Sequence, residues 1–559
     1  MSEKVNILIK NGLIFDGTGS EPFEADIGIK KDRIAFIKKK TDVFADRVIE
    51  ARGLAVTPGF IDTHAHSDFT ILADPRAEGK VSQGVTTEIN GNCGLSAAPL
   101  FGEVMKRREE DLNDLGIKER WSEFKEYFEI LGNRKPALNF MTLAGHGNIR
   151  ACIMGYEYRT PDENDLIKMQ ALLRKTIEDG ATGLSTGLIY PPGLYSTTEE
   201  LIELCRILKQ TGKYSHFSDN DNLTSGYIYT SHIRSEGDRL LESIEEVINI
   251  GKEAGVKVHI SHIKTGGEKN WHKIDAVISL IEEARDRGIK ITCDRYPYVA
   301  ASTDLDTILP FWVYEGGKER EMERLRNTEV KERIKKEIEY KYPDKGYWNK
   351  IYIAAVDSES RKWMEGKSIA EIAHRKDSDH VDMLINILIE EKLRVSAIFY
   401  SMSEDNLKRF LMLPYVMIGT DSSARCASGP TRKGKPHPRG FGSFPIFLGR
   451  YVRDGSLMNL SEAVKKITMI PAKTFGIDKR GIITEGAFAD IVVFDHERIT
   501  DRATFDDPYL KPKGIHYVII NGLTVLWEGE LTGIRPGRIL SHKDRGGLSD
   551  EQTDYRDYK

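Results

Sequence analysis

Cysteine is scarce. Five in 559 residues do not make a disulfide framework. Cys93, Cys152, Cys205, Cys293 and Cys426 stand singly, with no CxxC pair, so a cysteine-paired zinc knuckle and a thioredoxin-type redox motif are excluded. Uninterrupted apolar runs of about 18 residues are missing, which argues against a membrane-spanning helix. The opening Met1-Ser-Glu-Lys-Val-Asn6 has charges but no apolar stretch of signal-peptide length. An excess of one charge is also missing: 81 basic and 86 acidic residues leave a net charge of −5, giving nucleic acid and anionic membranes little to recognise. There is no Gly-rich dinucleotide fingerprint, phosphate loop, serine nucleophile elbow or aromatic-basic RNA motif. With 40% hydrophobic residues the chain can bury a sizeable core, which excludes wholesale disorder. The expectation is a cytoplasmic enzyme with a small-molecule substrate.

Two β-rich ends flank a long alternating middle. Residues 1–57 read as short strands: Asn6–Lys10, Leu13–Phe15, Ala25–Ile29 and Arg33–Ile37, with Asn11-Gly12 as a turn. Residues 476–540 repeat this grammar in Ala489–Phe494, Tyr517–Ile520, the turn pair Asn521-Gly522, and Thr524–Trp527. Neither end is long enough to enclose a good core alone, so pairing into one small β-sandwich is expected. Residues 541–559 are a polar tail.

Over 58–475, strand-like segments alternate with helical ones. Asp238–Glu253 puts Leu241, Ile244, Val247 and Ile248 on one face, and Ala276–Arg287 does the same with Val277, Leu280 and Ile281. Eight such units predict an α/β (β/α)8 TIM-type barrel, with a doubly wound sheet as the alternative. The rhythm breaks after the seventh strand, between Tyr296 and Asp421. Residues 303–365, charged and helical, read as an inserted subdomain acting as a lid or a homo-oligomer contact.

Chemistry-bearing residues gather at the predicted strand ends, where a parallel barrel keeps its active site. His64 and His66 lie two apart on a strand, so both imidazoles face one side. His262 and Lys264 share a face by the same spacing, while His259 points away. Asp421, in Gly419-Thr-Asp421, supplies a carboxylate after the last strand. Cys93, between Asn92 and Gly94, offers a thiolate suited to zinc. Each has an ordinary alternative: a chance HxH, a small core cysteine, a helix cap at Asp421. Their occurrence in order, at the ends of different strands, points to a metal site.

That constellation resembles the amidohydrolase superfamily and, within it, the N-acyl-D-amino-acid deacylases. The resemblance runs from Gly12-Leu-Ile-Phe-Asp-Gly17 to Gly486-Ala-Phe-Ala-Asp-Ile-Val492. It is sharpest in Pro58–Asp68, Gly91-Asn-Cys-Gly94, Ser231-His-Ile-Arg-Ser-Glu-Gly237, Ile260–Lys264, Tyr296-Pro-Tyr298 and Pro436-His-Pro-Arg-Gly440. Many binuclear relatives bridge two metals with a carbamoylated lysine at the end of strand four. The segment here, Ala181–Tyr190, has no lysine, so the Cys93 thiolate is free to take that anionic role. The resemblance implies a tight Zn2+ held by Cys93, His232 and His262, and a weaker second position at His64, His66 and Asp421 that shares Cys93. It makes Asp421 the catalytic proton carrier and assigns Lys264, Tyr296, Ser302 and Arg439 to the substrate's carboxylate end. The implied reaction is hydrolysis of N-acyl-D-amino acids. The alternatives are a cyclic-amide hydrolase of the dihydroorotase or hydantoinase type, and a non-catalytic scaffold. Arg295, next to Tyr296, could read an acidic substrate side chain, but alternation points it away from the barrel axis. His146 either orients substrate or packs, and His259, His216, His374, His496, His516 and His542 are read as structural or surface residues.

Overall fold

The structure is a computed structural model that describes residues 4–211 and 226–541. His216, His542 and all but the first residue of the polar tail lie outside the described residues. Among the described residues no helix is long and apolar enough to cross a membrane.

Strands from both chain ends share one nine-stranded sheet. Ala55–Pro58 pairs antiparallel with Ile491–Phe494, which joins the N-terminal set to the C-terminal set. Ile7, Ile9, Ile27, Ile29, Ile491, Val493 and Ile519 meet in one buried cluster, so the two ends bury each other's apolar faces. The Asn521-Gly522 turn forms as expected. Both residues have positive φ (49° and 77°) and link Ile515–Ile520 to Leu523–Trp527. Asn11-Gly12 does not turn. Val5–Ile14 is one strand that runs through it, with a register shift between Ile9 and Gly12, and the Asn11 N–H donates to Asp26 (2.9 Å). The left-handed residue is absorbed there as a β-bulge.

A buried ion pair fastens this sheet to the middle of the chain. Arg480 pairs with Asp490 and donates to Asn521 (2.8 Å), while Asp490 also accepts from Asn139 (3.1 Å) and from the Asn521 N–H (2.7 Å). Arg480→Met strands a buried carboxylate and should cost about 3–5 kcal/mol, read from the denaturant midpoint.

The middle contains eight parallel strands in two arcs. Phe60–Asp62, Val85–Asn90 and Asn139–Thr142 form one. Gly183–Gly187, Ile228–His232, Lys257–Ile260, Ile291–Arg295 and Val416–Ile418 form the other, joined by Ala144–Gly145, which follows the third strand after one residue. At the far ends a parallel bridge links Ala65 to Ser422, and the Asp421 N–H donates to His64 (2.7 Å). The strands are short and buried on both faces, as parallel strands under helices are. The helix Leu240–Ala254 buries Leu240, Ile244, Val247, Ile250 and Ala254 and stops at Gly255 in the left-handed conformation (φ 65°). Its buried stripe is turned slightly from the expected one, leaving Leu241 and Ile248 only half-buried.

The insertion after the seventh strand is longer than 303–365 and is not helical only. Ala300–Asp304, Ile351–Ala355 and Ser396–Tyr400 form an antiparallel sheet. This sheet packs with helices around a separate apolar core running from Leu305 to Ala397. Its strands are short and flanked by charged helices, so the helical pattern dominated the sequence reading.

Candidate metal centre

Three of the expected ligands sit just beyond strand ends with left-handed backbones: Cys93 (φ 54°), His262 (φ 37°) and Asp421 (φ 50°). A side chain in that region costs about 1–2 kcal/mol, and such residues persist only where their surroundings over-determine them. Around Cys93, glycine makes this possible. A Cβ on Gly91 would lie 2.1 Å from the Leu143 carbonyl, and one on Gly187 would lie 2.1 Å from the Cys93 carbonyl. Gly187 ends the fourth strand, and the Cys93 loop fills the space beside it, so any side chain there would collide with the Cys93 backbone.

The Cys93 Sγ lies 3.3 Å from His64 Nε2 and 3.5 Å from His262 Nε2. The His262 ring is 4.4 Å from that of His232, edge to face. Asp421 Oδ1 is 3.1 Å from His66 Nε2 and 3.6 Å from His64 Nε2. Three groups of potential ligand atoms overlap: His64, Cys93 and His262; His64, His66 and Asp421; and His232, Glu236 and His262. The six expected ligands therefore form one connected cluster. Its centre is fully buried at His64, and it opens to solvent at His66 and Asp421.

The electrostatics suit a bound cation. Burial alone would raise the Cys93 thiol, but His64 and His262 hold it well below its ordinary value, which favours the thiolate. Burial would likewise raise Asp421, but Arg439 and His66 hold it well below the usual carboxylate range. His232 is the exception. Burial lowers it, and both ring nitrogens are enclosed without a hydrogen-bond partner. A buried imidazole left unpaired costs free energy unless something occupies the space before it. Burial would also lower His64, His66 and His262, but Asp294, Cys93, Asp421 and Glu236 raise them, so a metal would displace protons from these three. Thiolate, imidazoles and carboxylate together are a donor set that fits zinc.

Two carboxylates behind the ligands went unnoticed in the sequence. Asp294 accepts from His64 Nδ1 (3.1 Å), His259 Nε2 (2.7 Å) and the His262 N–H (2.7 Å). Glu236 Oε1 lies 2.9 Å from His262 Nδ1 and also pairs with Lys264. Carboxylates in this position fix the tautomer and orientation of ligating imidazoles. The available signals were the place of Glu236 four residues after His232 and the two-residue step from Asp294 to Tyr296. His259 is buried between Thr292 (2.8 Å) and Asp294, where it supports the latter.

The expected substrate residues converge on one side. The guanidinium of Arg439 pairs with Asp421 (2.8 Å), donates to the Ser302 carbonyl (3.2 Å) and stands 4.7 Å from the Tyr296 ring centre. Lys264 Nζ lies 5.8 Å from the same ring, and the Tyr296 hydroxyl is buried without a partner. Arg295 is buried and donates to the Tyr298 carbonyl (2.8 Å). His146 is held by Glu200 (2.8 Å), which also binds Arg150. The helix-cap alternative for Asp421 fails. No helix begins at Ser422; residues 422–438 are irregular, and the next helix starts at Arg439.

A buried cluster of cysteine, histidine and aspartate beyond the ends of parallel strands is a set of groups that could hold a metal ion, at the place where parallel folds keep their active sites. The Amidohydrolase family model matches residues 47–342 and 418–526. A D-aminoacylase and an N-acyl-D-glutamate deacylase of Alcaligenes xylosoxydans xylosoxydans are each 34% identical to this chain over 540 residues. These alignments cover 97% of this chain and 98% and 97% of those proteins. The crystal structure of an N-acyl-D-glutamate deacylase from Bordetella bronchiseptica, complexed with zinc and a phosphonate inhibitor, is 32% identical. It matches with a TM-score of 0.78 over 96% of this chain and all of that one. The chain belongs to the amidohydrolase family and is a hydrolase of that fold.

Proposed function

We propose that this enzyme is a zinc-dependent N-acyl-D-amino-acid deacylase. The two parallel arcs make one eight-stranded barrel over 58–475. Residues 1–57 and 476–540 make the accompanying β domain, and the insertion covers the barrel mouth. The observation that carries the reading is the ligand cluster centred on the Cys93 thiolate, flanked by Lys264, Tyr296 and Arg439. Cys93, His232 and His262 hold the tight zinc, and His64, His66 and Asp421 form the weaker position. The absence of lysine from Ala181–Tyr190 and the presence of Cys93 weigh against the cyclic-amide alternative, and the intact ligand set weighs against a scaffold.

Bound zinc polarises a carbonyl and lowers the pKa of water to about 7. Asp421 takes a proton from the attacking water and returns it to the leaving nitrogen, which must be protonated to depart. The C–N bond breaks, giving a carboxylic acid and a free amino acid. Lys264, Tyr296, Ser302 and Arg439 receive the substrate's carboxylate, fixing one end of the molecule while the amide is fixed at the metal. With two points held, the pocket wall accepts one hand of the α-carbon.

The decisive test is amine release from N-acetyl-D- and N-acetyl-L-amino acids, together with the metal content of the same preparation. Strong preference for the D series with about one zinc per chain is expected, and equal rates on both would refute D-specificity. Lys264→Met removes a charge-assisted contact worth about 1.5–3 kcal/mol, so KM should rise roughly 10- to 100-fold. The lid role has its own measurement. Thr303, at the root of the insertion, contacts Tyr190 (2.9 Å), whose ring meets His232 edge to face. Inhibitor binding should slow hydrogen exchange across 303–365.

A further inference from the structure

Lys80 is completely buried on the short helix Glu78–Val81, behind the open side of the metal centre. Its ammonium is within 2.7–2.8 Å of four oxygens: Asp62 Oδ2, Glu88 Oε1, Thr420 Oγ1 and the Ser422 carbonyl. These acceptors come from the first and second parallel strands and the loop after the eighth. Three of them border the expected ligands. Asp62 precedes His64 by two residues and accepts its backbone N–H (3.2 Å), together with the N–H (2.8 Å) and hydroxyl (2.7 Å) of Thr420. Thr420 and Ser422 flank Asp421 on either side. The Ser422 carbonyl also accepts from the His66 N–H (3.1 Å), and the Asp421 N–H donates to His64 (2.7 Å). Both chain neighbours of the left-handed Asp421 are thereby tied to one buried ammonium, which through Asp62 also holds the end of the strand that leads to His64 and His66.

We infer that Lys80 is a positioning residue. Without touching metal or substrate, it holds His64, His66 and Asp421 in register, so that the weaker metal position and the proton carrier exist as one preformed unit. The tight position draws His232 and His262 from strands that Lys80 does not touch and shares only Cys93, five residues after Glu88, with this side. An ammonium suits the task because its three protons can serve acceptors on separate segments at once. A methionine of similar length fills the space but serves none of them. The inference rests on the proposed deacylase site, although its metal readout needs no substrate.

The test is zinc titration of metal-stripped wild type and Lys80→Met against a chromophoric chelator, with kcat and KM measured on the same preparations. Wild type should take up two equivalents of unequal affinity. In Lys80→Met the weaker affinity should fall at least tenfold while the tight one stays within about threefold. kcat should drop by roughly 10²-fold, the size of loss that a misplacement of about 1 Å produces, with KM within about threefold. In an Asp421→Asn background, Lys80→Met should lower kcat by less than about threefold more, because both changes disable one group. Should Lys80→Met fail to fold, Thr420→Val removes one acceptor with little change of shape and should weaken the second position in the same direction. Uptake of a single equivalent by wild type overturns the inference, as do unchanged weaker affinity in both variants or additive losses in the double mutant. If wild type binds two zinc ions but releases no amine from N-acyl amino acids, the substrate reading fails while the metal arm still decides the role of Lys80.

Discussion

Asp421→Asn is expected to keep its tight zinc, bind substrate and lose kcat by roughly 10² to 10⁴, the range associated with removing a general acid–base. The side chain is built to stay ionised: Arg439 lies 2.8 Å from one oxygen and His66 3.1 Å from the other. Asparagine keeps the shape but has no proton-accepting oxygen of useful basicity at neutral pH. Substrates with better leaving groups should suffer less, since their nitrogen needs the returned proton less. Stability supplies the internal control. Because no helix begins at Ser422, the mutant loses no cap, and any fall in its melting temperature reports the buried Arg439 left without its anionic partner. An Asp421→Asn enzyme with near-normal kcat would end the claim that this carboxylate moves the proton.

The sequence was most informative where spacing and chemistry coincide. His64 meets His66, with ring centres 5.1 Å apart, and His262 meets Lys264 at 2.8 Å. All four lie just past their strands, Phe60–Asp62 and Lys257–Ile260, so loop geometry, with a left-handed His262, aims them rather than strand alternation. Cys93 could be singled out because no lysine appears between Ala181 and Tyr190. The structure adds that the backbone of its loop occupies the space beside Gly187. What stayed hidden depends on distant partners. Asp294 and Glu236 look like ordinary acidic residues until folding brings imidazoles of other strands to them. Lys80 looks like a surface lysine until two strands and the loop after the eighth enclose it. Asn11-Gly12 misled for the opposite reason. A left-handed pair favours a turn locally, but the long ladders on both sides of Val5–Ile14 outweigh it and leave a bulge.

Cys93→Ala is expected to release the tight zinc and abolish activity while leaving the protein folded. Removing a partner that merely orients a ligand weakens metal affinity by about 10- to 100-fold, so loss of a direct thiolate ligand should exceed about 10²-fold. The consequences reach across the cluster, because the thiolate lies between His64 and His262, within 3.3 Å and 3.5 Å of their Nε2 atoms. Without it, the imidazoles face one another with less negative charge to offset a dication. Folding should survive, since the main apolar core runs from Phe15 to Leu526 and does not depend on one ion. Cys205→Ala and Cys293→Ala are the matched controls. Both residues are fully buried in that core, and burial pushes both thiols up, so they are neutral packing groups. They should lower the melting temperature slightly and leave zinc content and kcat unchanged. Elemental analysis of the three mutants beside wild type reads the difference directly, and a full complement of zinc in Cys93→Ala would remove the thiolate from the centre of the site.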